Sequence, residues 1–176
     1  LLKSSTFDDV WVQPAAGDAG GALGAALAIH HMMLDNPRKD INQDNMKGSY
    51  LGPKFSEAET SKVLDSLGAT HNKLSEDELF ETAAEALASG KAIGWMNGRM
   101  EYGPRALGAR SIIADSRSPT MQKMLNLKVK YRESFRPFAP SILKEELSNW
   151  FELDKESPYM LMVSEVCKDK RLLPSN

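Results

Sequence analysis

The chain has 176 residues, 41% of them hydrophobic, with 22 lysines and arginines against 24 aspartates and glutamates. That length suits one domain, or one domain and a piece of a second, with enough apolar side chains for a sizeable core. The near-balanced charge argues against an obligate nucleic-acid coat or a polybasic membrane binder, and no apolar run approaches the roughly 18 residues of a spanning helix. A single cysteine, Cys167, excludes an internal disulfide, and no Cys/His set has zinc spacing. No signal-peptide pattern stands in LLKSSTFDDVW, so the expected location is the cytoplasm. The chain opens on Leu1 and stops at LLPSN soon after an expected strand, which reads as a fragment of a longer protein.

FDDVWVQP, residues 7–14, predicts a short strand running into a turn. Gly17-Asp18-Ala19-Gly20-Gly21 predicts a loop, and the Ala/Leu-rich run from Ala22 to Leu34 a helix. Asn36 to Pro53 lacks periodicity and reads as a linker or surface loop. Two helices follow. Ser56-Glu57-Ala58-Glu59 and Ser75-Glu76-Asp77-Glu78 both have capping-box spacing, and Gly68 and Gly90 supply the stops. KAIGWM, residues 91–96, predicts a buried strand, GRMEYGPRALGARS, residues 98–111, a Gly-rich loop, and Ile112-Ile113-Ala114 a second strand. A helix is predicted from Ser118-Pro119 towards Lys130. FRPFAPSIL, with two prolines, predicts an extended segment. A short helix over 144–151 and a last strand over Tyr159–Val166 complete the pattern. The order is that of a mixed α/β (α+β) domain. Trp11, Trp95, Met96, Met100 and Trp150 are expected to pack rather than to bind a base.

The overall balance hides a local excess. Between Lys91 and Leu143 ten basic residues face three acidic ones, a net +7, and six of the ten are arginine. An arginine fork matches phosphate or carboxylate, and neighbouring glycines let main-chain N–H groups reach the same anion. GPRALGARS, residues 103–111, therefore reads as a loop that could hold a phosphorylated small molecule, although it fits neither the P-loop nor the dinucleotide fingerprint. Pairing of these arginines with surface acids is the competing reading. Asp18, between a strand and a helix, could ligate a hard or borderline cation or simply cap the helix. His30 and His31 are adjacent, so they point about 100° apart on a helix and chelate poorly together.

GWMNGRMEYGPRALGARSIIADSR followed by NLKVKYRESFRPFAPSIL resembles the C-terminal domain of the O-carbamoyltransferases of nodulation-factor and antibiotic biosynthesis. VQPAAGDAGGALGAA resembles the last segment of the same family's first domain. The resemblance implies an actin/Hsp70-like remnant over 1–36, a linker over 37–53 and a YrdC-like mixed twisted sheet with flanking helices over 54–176, short of that domain's distal stretch. It implies a chemistry too: ATP-dependent formation of carbamoyl-adenylate from carbamoyl phosphate, then transfer of the carbamoyl group to an acceptor hydroxyl near a divalent metal, iron or magnesium. This fragment is not expected to complete that sequence alone.

Carried over by motif position, Arg105, Lys130 and Arg136 are the lead residues. Lys130 and Arg136 are expected on carbamoyl phosphate, and Arg105 on nucleotide phosphate. Arg110, Ser111, Lys128 and Arg132 are second candidates for the same anions, and Glu133 is expected to orient an arginine. Asp18 would be one ligand of a metal held mainly by upstream residues, and Gly20, Gly21 and Gly24 would let phosphate approach the helix N-terminus. The implied partners are carbamoyl phosphate, ATP and a small hydroxyl acceptor, without membrane or nucleic acid; a homodimer is compatible with all of this. An RNA-binding YrdC-like module, a threonylcarbamoyl-adenylate synthase or hydrogenase-maturation relative, and an inactive structural domain are the alternatives.

Overall fold

A computed structural model describes residues 4, 6–8, 10–39 and 44–171. Its elements are α1 (Asp18–Ala28), α2 (Glu57–Ser66), α3 (Glu76–Ala88), β1 (Ile93–Met96), β2 (Arg110–Ile113), α4 (Met121–Lys128) and α5 (Leu147–Trp150). The mixed α/β class holds, with a small sheet and several helices, of which α3 lies on the sheet. Among the described residues no helix is long and apolar enough to cross a membrane.

Local chemistry explains the helices after residue 55. Ser56 and Ser75 each accept from the N–H three residues on, and Glu59 and Glu78 reach back to the serine N–H, so both expected capping boxes form. Both helices end in the expected glycine. Gly68 and Gly90 are left-handed, and the residues after them, Ala69 and Lys91, donate back to Leu64 and Ala86. α3 lies on β1 through Phe80 and Trp95, whose rings stack 6.4 Å apart.

The sheet is where the expectations change. β1 and β2 pair antiparallel, Ile93 opposite Ile113 and Met96 opposite Arg110, and they form a two-stranded sheet. The other expected strands do not join it. Pro137 and Pro140 remove ladder donors from the 135–143 segment, which stays irregular. Residues 159–166 contribute one bridge, Phe151 to Val166, because Met160 turns left-handed (φ 54) and Val163 is 99% exposed with no sheet face beneath it. At the start, residues 10–13 have no regular structure and 14–17 turn; Asp9 lies outside the described residues.

α1 also differs. It starts at Asp18, so the expected glycine loop is its first turn, and it ends in a wide i→i+5 turn over Ile29–Met33. Gly20 makes the early start possible. Its N–H donates to Ala15 O at 2.7 Å, and a Cβ there would meet that oxygen at 2.5 Å.

The buried side chains gather in two places: Met46, Ser49, Ala109 and Tyr159 around the 97–109 loop, and Met121, Leu125 and Asn126 on one face of α4. The segment expected to be a surface linker is thus partly inside; residues 40–43 of it lie outside the described residues. Trp11 and Trp150, expected to pack, are 67% and 44% exposed. The whole chain exposes 14400 Å², whereas a compact monomer of this mass exposes about 8,500 Å². Much apolar surface therefore faces outward, including Leu27, Ile29, Met32 and Met33 on α1 and its continuation.

Candidate functional site

One carboxylate organises the 103–111 loop. Glu101 Oε1 accepts from the main-chain N–H groups of Leu107 (2.8 Å), Ala109 (2.7 Å) and Arg110 (3.1 Å). Burial pushes the Glu101 carboxyl up, but these donors outweigh it and hold the pKa below the ordinary value. The Tyr50 phenol donates to Leu107 O at 2.6 Å. Gly103 (φ 102) presses against Ala15, whose Cβ would lie 2.5 Å from a side chain added there.

Arg105 is presented by this loop. Exposed and without a partner among the described residues, it lines a cleft of about 250 Å³ together with Ala15, Gly17, Ser49, Tyr102 and Tyr159. Tyr102 ties the loop to α1 by donating its hydroxyl to Ala19 O. Asp18 is the first residue of α1, exposed, and it does not cap: Gly17 holds the cap position with no side-chain bond. The N–H groups of Gly20 and Gly21 are already used by Ala15 O and Gly17 O, which leaves those of Asp18 and Ala19 as the free donors of this turn. No group of three or more His, Cys, Asp or Glu side chains able to hold a metal exists among the described residues. Asp18 offers a single carboxylate, so the described residues do not make a metal site by themselves.

Arg110 and Ser111 serve the loop itself. The Arg110 guanidinium donates to Ala109 O at 2.8 Å and, at 3.3–3.4 Å, to Asn97 O and Gly98 O. The Ser111 hydroxyl accepts from Gly108 N–H at 3.0 Å.

The remaining candidates gather at the C-terminal end of α4. Asn126, fully buried, donates to Ser134 O (3.2 Å) and Arg136 O (2.8 Å) and accepts from Arg132 Nε (2.6 Å). Gln122, one turn earlier, donates to Phe135 O and Arg136 O. These two amides fix the backbone that carries Arg136. Arg136 pairs with Glu133 at 3.0 Å, as expected of an orienting acid, with both side chains about half exposed. The Glu133 carboxyl is held low by its own main-chain N–H and by Arg136. Arg132 lies over the Phe138 ring, 4.9 Å from its centroid. Lys128 and Lys130 are exposed, and their side chains meet no acceptor among the described residues. Arg117, by contrast, is withdrawn from the basic set by a forked pair with Asp115, whose carboxyl falls to about 2.

The structure thus forms two groups. Arg105, Arg110 and Ser111 are joined to the first turn of α1 through Glu101 and Tyr102. Lys128, Lys130, Arg132 and Arg136 are gathered by α4. No hydrogen bond or ion pair connects the groups among the described residues. Sequence reasoning passed over Glu101, Gln122 and Asn126. Glu101 could have been found as the one acid between Lys91 and Arg110, and the two amides by their i, i+4 spacing.

Fold and site define a small α/β unit that presents arginines and lysines from its loops. Residues 84–174 match the family described as carbamoyltransferase C-terminus, and residues 1–27 match carbamoyltransferase N-terminus. The chain belongs to the carbamoyltransferase family. It is 53% identical to an uncharacterized protein of Synechocystis over 98% of this chain and 28% of that protein. It is 41% identical to nodulation protein NolO of Bradyrhizobium diazoefficiens, over 97% of this chain and 31% of the relative. A 3'-hydroxymethylcephem-O-carbamoyltransferase of Amycolatopsis lactamdurans is 36% identical, over 88% of this chain and 27% of the enzyme. The chain spans less than a third of the length of each of these relatives.

Proposed function

We propose that this chain is the donor-activating portion of an ATP-dependent O-carbamoyltransferase. Carbamoyl phosphate and ATP give carbamoyl-adenylate, with one water consumed and phosphate and pyrophosphate released. The carbamoyl group then passes to an acceptor hydroxyl outside this chain. Both reactants are strongly anionic, so the chemistry needs positioning and fixed positive charge more than a nucleophilic side chain. Arg136 and Lys130 hold carbamoyl phosphate, and Arg105 reaches the nucleotide phosphates. A divalent metal, if it takes part, depends on ligands beyond Asp18.

The observation that carries this reading is the buried Asn126. Its amide nitrogen holds the Ser134 and Arg136 carbonyls and its oxygen holds the Arg132 guanidinium, a rigid mount for the segment that carries Arg136. The family match and the cephem O-carbamoyltransferase support the choice of carbamoyl phosphate as the anion. Calorimetric titration tests it. A charge-assisted bond nets about 1.5–3 kcal/mol, so Arg136→Ala should weaken carbamoyl-phosphate binding by roughly ten- to a hundred-fold. Unchanged affinity in a folded variant refutes the assignment.

A further inference from the structure

A second cleft, of about 400 Å³, shares no lining residue with the one at Arg105. Its walls include Tyr50, Lys54, the Asn97–Arg99 turn and Gly108, and no acidic residue. Its two cations, Lys54 and Arg99, play no part in the reading above. Lys54 is exposed and its ammonium meets no acceptor among the described residues. Arg99 spends one guanidinium N–H on Gly52 O at 2.9 Å, which leaves the rest of its fork for a ligand.

The main chain between them is also unsatisfied. Asn97 N–H donates to Ala109 O, and Met100 N–H to Pro53 O. The N–H groups of Gly98 and Arg99, in between, have no protein acceptor. Gly98 is left-handed (φ 62), and consecutive N–H groups at such a turn form a concave anion-binding nest. Arg110 holds the turn by its carbonyls, donating to Asn97 O and Gly98 O. The cleft falls within the range of about 300–1,000 Å³ typical of small-molecule sites, more room than a single phosphate requires.

We infer that this cleft binds a chain of linked phosphates through Lys54, the Arg99 guanidinium and the Gly98 and Arg99 amides. Two side-chain cations from separate segments, with two amides between them, suit an extended polyanion better than one compact ion. Inorganic polyphosphate and the phosphate tail of a nucleotide share this chemistry. The inference does not depend on the carbamoyl-transfer reading.

The test is calorimetric titration of the full chain with inorganic triphosphate, ATP and orthophosphate. Triphosphate should bind more tightly than orthophosphate. Lys54→Ala, which breaks no protein contact, should weaken triphosphate binding about tenfold, the loss of one charge-assisted bond. Lys54→Ala should leave carbamoyl-phosphate binding within about twofold, which separates this site from the carbamoyl-phosphate reading. Equal affinity for ATP and triphosphate makes the phosphates the whole ligand; tighter ATP binding that also needs Lys54 extends the ligand to a nucleotide. Unchanged triphosphate affinity in Lys54→Ala, or no triphosphate binding by the folded chain, overturns the inference.

Discussion

Replacing Glu101 with alanine removes one oxygen that serves three main-chain donors, those of Leu107, Ala109 and Arg110. Hydrogen bonds to a charged group net about 1.5–3 kcal/mol each, but they share one acceptor, and freed amides on a half-buried loop can find water. The cost should therefore be about 2–4 kcal/mol rather than the sum. Glu101→Gln keeps a carbonyl oxygen in place but loses the charge, and should cost about half as much. Denaturant unfolding measures the cost, and amide hydrogen exchange locates it. The Leu107, Ala109 and Arg110 amides should be protected in the wild type and lose that protection in Glu101→Ala. The pH dependence has a definite sign. The folded pKa of Glu101 is depressed, so its stabilisation is complete above the ordinary value of 4.5 and disappears as pH falls through the folded pKa. The gap in stability between wild type and Glu101→Gln should close below that value. Unchanged stability in Glu101→Ala with intact protection of the three amides would refute the role given to Glu101.

Other perturbations test the remaining parts. Asn126→Ala leaves two carbonyls and the Arg132 guanidinium without their buried partner; it should cost about 2–4 kcal/mol in unfolding experiments and weaken carbamoyl-phosphate binding as Arg136→Ala does. Ser56→Ala and Ser75→Ala should each lose about 1 kcal/mol, additively, because the caps serve separate helices. The Tyr159 phenol donates to Asp44 and accepts from Gly48 N–H, and burial followed by Asp44 raises its pKa to about 12. Its ultraviolet titration should therefore have a midpoint near 12 rather than 10. Burial pushes Asp44 up, but bonds from Tyr159, Gly48 and Met46 hold it below 3.8, so its stabilisation is present above that value and lost in acid. Tyr159→Phe should shrink that acid-labile part, seen as a smaller stability difference between neutral and acid pH.

What could be read from the sequence was local. Both capping boxes, both glycine stops, the existence of the two strands and the α4 region depend on residues a few positions apart, whose chemistry acts wherever the chain goes; the second strand starts at Arg110, two residues inside the expected loop. The motif residues Arg105, Lys130 and Arg136 could likewise be nominated from the string. What the string could not give was pairing. Residues 135–143 and 159–166 carry β-compatible side chains, yet a strand exists only if a neighbour accepts its hydrogen bonds; Pro137 and Pro140 remove ladder donors from the first, and the left-handed turn at Met160 breaks the second. Nor could spacing reveal that Glu101 would collect three amides, or that Asn126 would grip residues ten positions away, since both depend on where the backbone returns. The sequence by itself determined α2 and α3 with their ends, and the inventory of cations. Only the tertiary structure decided which cations are free, as Arg105, Lys130 and Lys54 are, and which are taken up by carbonyls and acids, as Arg110 and Arg117 are. A hydrogen bond needs two groups within about 3 Å, and for groups far apart in the chain only folding brings them together.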